Sequence, residues 1–250
     1  MKGVFDLNIE AISDTGRVRK INEDNLAYHI CDKYSFAIVA DGMGGHLAGE
    51  VASKMAVEKI SEYVKDNLTD ELDHFQVKQL LNKAFIKANN YIFDYSLENE
   101  SVMGMGTTAT MCLIRNGFLI YAHVGDSRAY MIGRDIKQIT RDHSYVQELV
   151  KLGQITPEEA KTHPRRNYIT RAMGIEKDVK PDLGIKTYKG EKGFICSDGL
   201  HGKVDDSEIL SSLKKSTLKD SVEELVGLAN ERGGEDNITV LVMEGDKTDA

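Results

Sequence analysis

Cysteine, proline and long apolar runs are all scarce in this sequence, and each shortage narrows what it can be. Three cysteines, Cys31, Cys112 and Cys196, are spread over 250 residues without the spacing of a metal cluster. Cys112 and Cys196 lie inside apolar runs ("TATMCLI" and "GFICS"), where cysteine behaves as a small buried hydrophobe. A reducing compartment fits best, so a cytoplasmic location is expected. No apolar stretch approaches the ~18 residues of a membrane span, and none at the N-terminus precedes a cleavage site, so neither membrane insertion nor secretion is expected. Basic charge is short too: 32 Lys and Arg face 40 Asp and Glu, a formal charge of −8. That balance argues against nucleic-acid binding and mildly favours cations.

What is present supports a folded enzyme-sized unit. With 41% hydrophobic residues the chain can bury one sizeable core, and one domain over 1–250 is expected. Strand-like runs rich in β-branched and aromatic residues fall at 34–40, 107–114, 118–124, 128–132, 193–197 and 237–243. Asn116-Gly117 between two of them is a type I′ hairpin signal, which makes those neighbours antiparallel. Helical spacing runs from Val77 through Leu80, Leu81, Ala84, Ala88, Tyr91, Ile92 and Tyr95. A second helix starts near Gly49 with Val51, Ala52, Met55, Ala56 and Ile60 inward. A third carries Val222, Leu225, Val226 and Ala229. Two successive helices followed by hairpins predict an α+β fold with antiparallel sheets covered by helices. Residues 141–174 are polar, hold two of the three prolines and contain Thr156-Pro157-Glu158-Glu159, a helix start. Such an insertion between strands reads as a lid or binding element.

The most informative pattern is an aspartate at the end of one apolar run after another. Asp41 closes "FAIVAD" before Gly42, Asp198-Gly199 closes "GFICSDG", Asp126 follows "YAHVG", and Asp236 immediately precedes the last strand, with Glu23-Asp24 in "RVRKINEDN". Any one of these alone is a turn aspartate or a strand residue facing water. Together they would repel strongly at the rim of a sandwich unless cations neutralised them. Carboxylates without His or Cys select hard ions such as Mg²⁺ or Mn²⁺. Two such ions can share a water and orient it for in-line attack at phosphorus. The glycines after Asp41 would let backbone carbonyls and solvent approach the ions.

Eight ordered blocks, "SDTGRVRKINEDN", "VADGMGGHLAGEVAS", "GMGTTAT", "HVGDSRAY", "RDHSYVQELVKLGQIT", "RNYITRAMG", "CSDGL" and "EDNITVLV", span nearly the whole chain. They resemble the bacterial branch of the metal-dependent Ser/Thr protein phosphatases of the protein phosphatase 2C (PPM) type. The resemblance implies two antiparallel β-sheets flanked by helices on both faces, a four-layer αββα sandwich, with 141–174 as a flap beside the active site. It implies hydrolysis of phosphoserine and phosphothreonine on proteins at a binuclear Mn²⁺ or Mg²⁺ centre, and opposition to a bacterial Ser/Thr protein kinase. A monomer is expected. Carried over by position, Asp41 bridges both ions, the Gly42 carbonyl binds the first, and Asp198 and Asp236 complete the second. Asp126 with Asp198 matches a pair that holds a third, weaker ion. Glu23 acts through ion-bound water, with Asp24 supporting the cluster. Arg19 matches the arginine that grips the substrate phosphate, and a planar guanidinium suits bidentate phosphate contact.

Two positions depart from the family's pattern. Met43 stands where eukaryotic members place a histidine proposed as general acid, and a thioether cannot donate a proton. His46, three positions on, reads better as a helix-start residue. Gly202 stands where many members carry another Asp or Asn, which predicts weak affinity for the third ion. Thr107 and Thr108 read as buried strand residues, and Arg165 and Arg166 as solvated charge. The competing reading is a catalytically silent phosphoprotein-binding regulatory domain on the same fold, which would need a lost ligand. A nucleotide-binding enzyme is disfavoured because "DGMGGH" lacks P-loop spacing.

Overall fold

Alternation along the most apolar strand decides the layering. In the computed structural model, which describes residues 7–44 and 47–245, Phe36, Ile38 and Ala40 point into a helix-facing core, whereas Ala37 and Val39 point into a core between two sheets. Because both faces are buried, the run is continuously hydrophobic rather than alternating with polar residues.

Eleven strands are found among the described residues: β1 (Leu7–Asp14), β2 (Asp24–Cys31), β3 (Tyr34–Met43), β4 (Gly106–Thr107), β5 (Ala109–Arg115), β6 (Phe118–Val124), β7 (Arg128–Ile132), β8 (Ile136–Gln138), β9 (Asp182–Thr187), β10 (Lys192–Cys196) and β11 (Ile238–Gly245). One sheet runs β1-β11-β10-β7-β8, the other β2-β3-β5-β6-β9 with β4 paired to β3, and the pairings are antiparallel. Helices α1 (Leu47–Asn67) and α2 (His74–Glu98) cover the second sheet. Short α3 (Tyr145–Lys151) and α4 (Pro157–Thr162) lie in the expected flap, and α5 (Asp198–His201), α6 (Asp206–Lys215) and α7 (Leu218–Glu231) belong to the face of the first sheet. The four-layer αββα sandwich is therefore the observed fold. Three apolar clusters fill it, one under each helical layer and one between the sheets. Each fully buried Leu, Ile or Phe in them contributes about 1.5–3 kcal/mol.

Several local expectations hold. Asn116 and Gly117 both take positive φ, 49° and 75°, as a type I′ turn requires, and β5 pairs with β6 across them. Helix α4 begins at Pro157 behind a Thr156–Glu159 capping box. Cys112 and Cys196 are buried, and burial pushes the Cys112 thiol up to about 12. Tyr91 differs: it lies 46% exposed with Lys59 over its ring, because the buried stripe of α2 runs through Ala88 and Ile92 and leaves the amphipathic ring at its edge. Strands β1, β2, β8 and β9 were outside the sequence expectation. They lie at sheet edges, where one face meets water and polar residues dilute the strand pattern.

Candidate metal centre

Each carboxylate of the acidic set is delivered by the end of a strand. Asp41 lies near the end of β3, directly opposite Asp24 at the start of β2. Asp126 occupies the corner between β6 and β7, Asp198 begins α5 just beyond β10, and Asp236 precedes β11. The central strands of the two sheets are thus read out at one rim.

Hydroxyl and amide groups fix the backbone behind these side chains. The Asp41 amide donates to Thr108 Oγ1 at 2.9 Å, and Thr107 Oγ1 donates to the Asp41 carbonyl at 2.9 Å. Both threonines are buried strand residues as expected, yet they also aim Asp41. Ser197 Oγ donates to Asp24 Oδ2 at 2.8 Å and accepts from the Thr239 amide at 2.9 Å. Asn237 Oδ1 accepts from the Glu23 amide at 2.9 Å, while its Nδ2 donates to the Thr15 and Ile21 carbonyls. Ser53 Oγ donates to the Glu23 carbonyl at 2.5 Å. Asn237, Ser53 and Ser197 escaped sequence reading as members of the site. Only Asn237 and Ser197 carried a signal, being direct neighbours of Asp236 and Asp198.

Gly42 is required by packing more than by ligand access. A Cβ there would lie 2.1 Å from the Gly49 carbonyl oxygen and 2.6 Å from that of Glu23, so the first turn of α1 and the Glu23 segment close directly on the β3 backbone. Gly45 and His46 lie outside the described residues.

Electrostatically the rim is unsatisfied. Glu23 Oε1, Asp24 Oδ1, Asp126 Oδ1 and Asp198 Oδ1 are buried without a hydrogen-bond donor. Burial first, then mutual repulsion, pushes Asp24 up to about 7 and Asp198 up to about 6, against donors that partly offset the rise. Asp41 and Asp126 are raised well above the carboxylate range for the same reasons. Glu23 is raised by burial, which outweighs the opposing Arg19 charge. A buried ionised carboxylate needs a partner, and a divalent ion is the partner that satisfies several at once. Among the described residues no group of three or more His, Cys, Asp or Glu side chains is placed to hold a metal ion by itself. An open, oxygen-only set is what Mg²⁺ and Mn²⁺ use, since they retain several waters and take few protein carboxylates. The residues therefore fit such ions.

The profile of the family described as "Protein phosphatase 2C" matches residues 16–241. This chain belongs to the protein phosphatase 2C family. Serine/threonine phosphatase stp of Listeria innocua is 40% identical over 242 residues, covering 95% of this chain and 96% of that protein. Serine/threonine phosphatase Stp1 from Staphylococcus aureus superposes with a TM-score of 0.89 at 39% identity, covering 95% of this chain and 94% of that one. The catalytic domain of the serine/threonine protein phosphatase PstP, solved in complex with two manganese ions, superposes with a TM-score of 0.83 at 36% identity over 96% of this chain and 98% of that one.

Arg19 stands beside the acidic rim, its Nη2 3.0 Å from Asp236 Oδ2 and its Nη1 4.0 Å from Glu23 Oε2. Roughly half of the Arg19 side chain is exposed. Met43 lies beside a cavity of about 350 Å³ shared with flap residues Ile169, Thr170 and Ala172 and the following loop. Gly202 caps α5, its amide donating to the Asp198 carbonyl at 2.8 Å. Three histidines near this centre are unsuited to proton donation at neutral pH. Burial lowers His123 to about 4 and His201 to about 3, and also lowers His143. Arg165 lies over the Tyr145 ring at 5.6 Å, and both Arg165 and Arg166 are exposed as expected.

Proposed function

We propose that this chain is a protein-serine/threonine phosphatase whose single catalytic unit, spanning 1–250, hydrolyses phosphoserine and phosphothreonine with two Mn²⁺ or Mg²⁺ ions. The carrying observation is the buried, donor-less carboxylate oxygens at one rim, read with the membership of the chain in this family. Asp41 and the Gly42 carbonyl, with Asp198 and Asp236, would hold the two ions. Asp126 with Asp198 would take a third, weaker one, Glu23 would act from the outer sphere, and Asp24 would support the cluster. When bound, such ions lower the pKa of a water and offset phosphoryl charge.

The chain's own residues do the rest. Arg19 exchanges its contact with Asp236 for a bidentate grip on the phosphoryl oxygens, which positions phosphorus over the rim and stabilises charge as the ester bond lengthens. Thr107 and Thr108 hold the Asp41 backbone from behind, so the carboxylate does not reorganise during the reaction. Met43 supplies no proton and His123, His143 and His201 are held neutral, so protonation of the leaving serine or threonine oxygen falls to solvent. All the acidic positions are retained, which leaves the silent binding module without the ligand loss it requires.

Phosphoproteins modified by a Ser/Thr kinase are the proposed substrates, and a cytoplasmic monomer is the proposed form. No helix among the described residues is long and apolar enough to cross a membrane. The test is phosphate release from a phosphothreonine peptide in EDTA and in added Mn²⁺, for the native chain and Asp198→Asn. Turnover that needs Mn²⁺ and collapses in the variant supports the reading; folded, Mn²⁺-binding protein without turnover defeats it.

A further inference from the structure

The corner that carries Asp126 is built around a histidine far from it in sequence. Gly125 adopts φ +111°, and a Cβ there would meet the Thr108 side chain at 2.5 Å, so this corner has one tight conformation. His143, at the root of the flap and only 4% exposed, closes on Gly125 twice. Its amide donates to the Gly125 carbonyl at 2.7 Å, and its Nδ1 lies 3.0 Å from the Gly125 amide nitrogen.

A backbone N–H can only donate, so Nδ1 must be the bare acceptor and the proton sits on Nε2. Nε2–H then points to Asp182 Oδ2 at 3.2 Å. Arg171, whose Nη1 lies 2.9 Å from that same ring nitrogen, spends its donors on Asp182 Oδ1 at 2.7 Å and the Lys180 carbonyl at 3.0 Å. The Thr170 amide donates to the His143 carbonyl at 2.8 Å. His143 therefore joins three things, through its ring the Asp126 corner and the Asp182 end of β9, and through its backbone carbonyl the far end of the flap at Thr170. The lowered basicity of His143 agrees with this neutral tautomer.

We infer that His143 is a positioning residue whose bare Nδ1 holds the Gly125 amide and so sets the aim of the Asp126 carboxylate, tying that aim to the seating of the flap. Asp126 Oδ1 itself has no donor, and its carbonyl is pinned by His201 Nε2 at 3.0 Å. With no donor from another residue at Oδ1, the corner that His143 closes helps to set the direction of the side chain. Without Nδ1 a buried N–H loses its acceptor and the corner must rearrange to recover one.

The inference rests on the proposed reading that Asp126 and Asp198 hold the weakest ion. Its test is Mn²⁺ binding by isothermal titration calorimetry on the full chain, with thermal unfolding measured alongside, for the native protein, His143→Ala, His143→Asn and Asp126→Asn. Asparagine keeps an oxygen acceptor near the Nδ1 position but loses the reach to Asp182. The expected result is a weakest Mn²⁺ site on the order of tenfold weaker in His143→Ala, the tighter sites unchanged, and most of that loss recovered in His143→Asn. A role confined to stability would lower unfolding temperature in both variants without separating their Mn²⁺ isotherms, and would overturn the inference. Native-like weak-site affinity in His143→Ala while Asp126→Asn loses a site would overturn the inference and leave the ion assignment standing. An Asp126→Asn isotherm identical to native would overturn the assignment together with the inference.

Discussion

Two buried charged clusters meet at one corner of this fold and are built on opposite principles. At the flap root, Arg128 Nε and Nη2 donate to Asp142 at 2.8 to 3.1 Å, and Gln138 Nε2 adds a bond at 2.9 Å. Burial alone would raise Asp142, but the Arg128 charge and hydrogen bonds hold it below the ordinary carboxylate value. Two residues before Arg128 stands Asp126, buried to a similar degree, with a donor-less oxygen and a raised pKa. The first cluster is complete without a ligand. The second leaves an acceptor oxygen without a donor, and that difference marks it as the candidate site.

The comparison breaks first at the rim. Asp198→Asn or Asp41→Asn should lower Mn²⁺-dependent turnover by at least ~10²-fold while far-ultraviolet circular dichroism of the metal-free protein stays native. At the flap root the signs reverse: Arg128→Ala should cost about 3–5 kcal/mol in urea unfolding by stranding Asp142. Equal stability losses at the two places would contradict the distinction.

The metal-free rim should also titrate against stability. Asp24 and Asp198 keep protons in the fold up to about 7 and about 6, whereas an ordinary aspartate loses its proton near 3.8. Between about pH 4 and 7 the folded state thus binds more protons than the unfolded chain, so stability falls as pH rises. Above the folded values the penalty is complete. Saturating Mn²⁺ should flatten this slope in chemical denaturation, and Asp24→Asn should raise metal-free stability at pH 8 by about 1–2 kcal/mol. A metal-free stability that climbs from pH 4 to 7 would reject the account. The smallest expected stability effect is at Arg19: its exposed contacts are worth under ~1 kcal/mol, so Arg19→Ala should leave unfolding nearly unchanged while raising KM for a phosphopeptide about tenfold and lowering kcat.

Legibility in the sequence followed range. The limits of β6 and β7, the Asn116-Gly117 turn and the Thr156 cap were readable because each depends on residues a few positions apart. Asp41, Asp126, Asp198 and Asp236 were readable as a set because each follows or precedes an apolar run. The edge strands β1, β2, β8 and β9 were not, because their half-exposed faces weaken the pattern. Asn237 on Glu23 and His143 on Gly125 gave no local sign of their contacts, which span 214 and 18 residues.

By itself, then, the sequence determined which central segments become strands, though β3 runs past its expected end at Ala40 to Met43, and that Asp41, Asp126, Asp198 and Asp236 lie at or beside strand ends. Tertiary structure alone decided that Arg19 reaches Asp236 across 217 residues, that Asn237 and Ser197 brace the rim from behind, and that one aspartate is paired while its neighbour is not. Periodicity and turn chemistry act over a few residues of chain. The energy of a buried charge depends on every group around it in space, and only the packed sandwich brings those groups together.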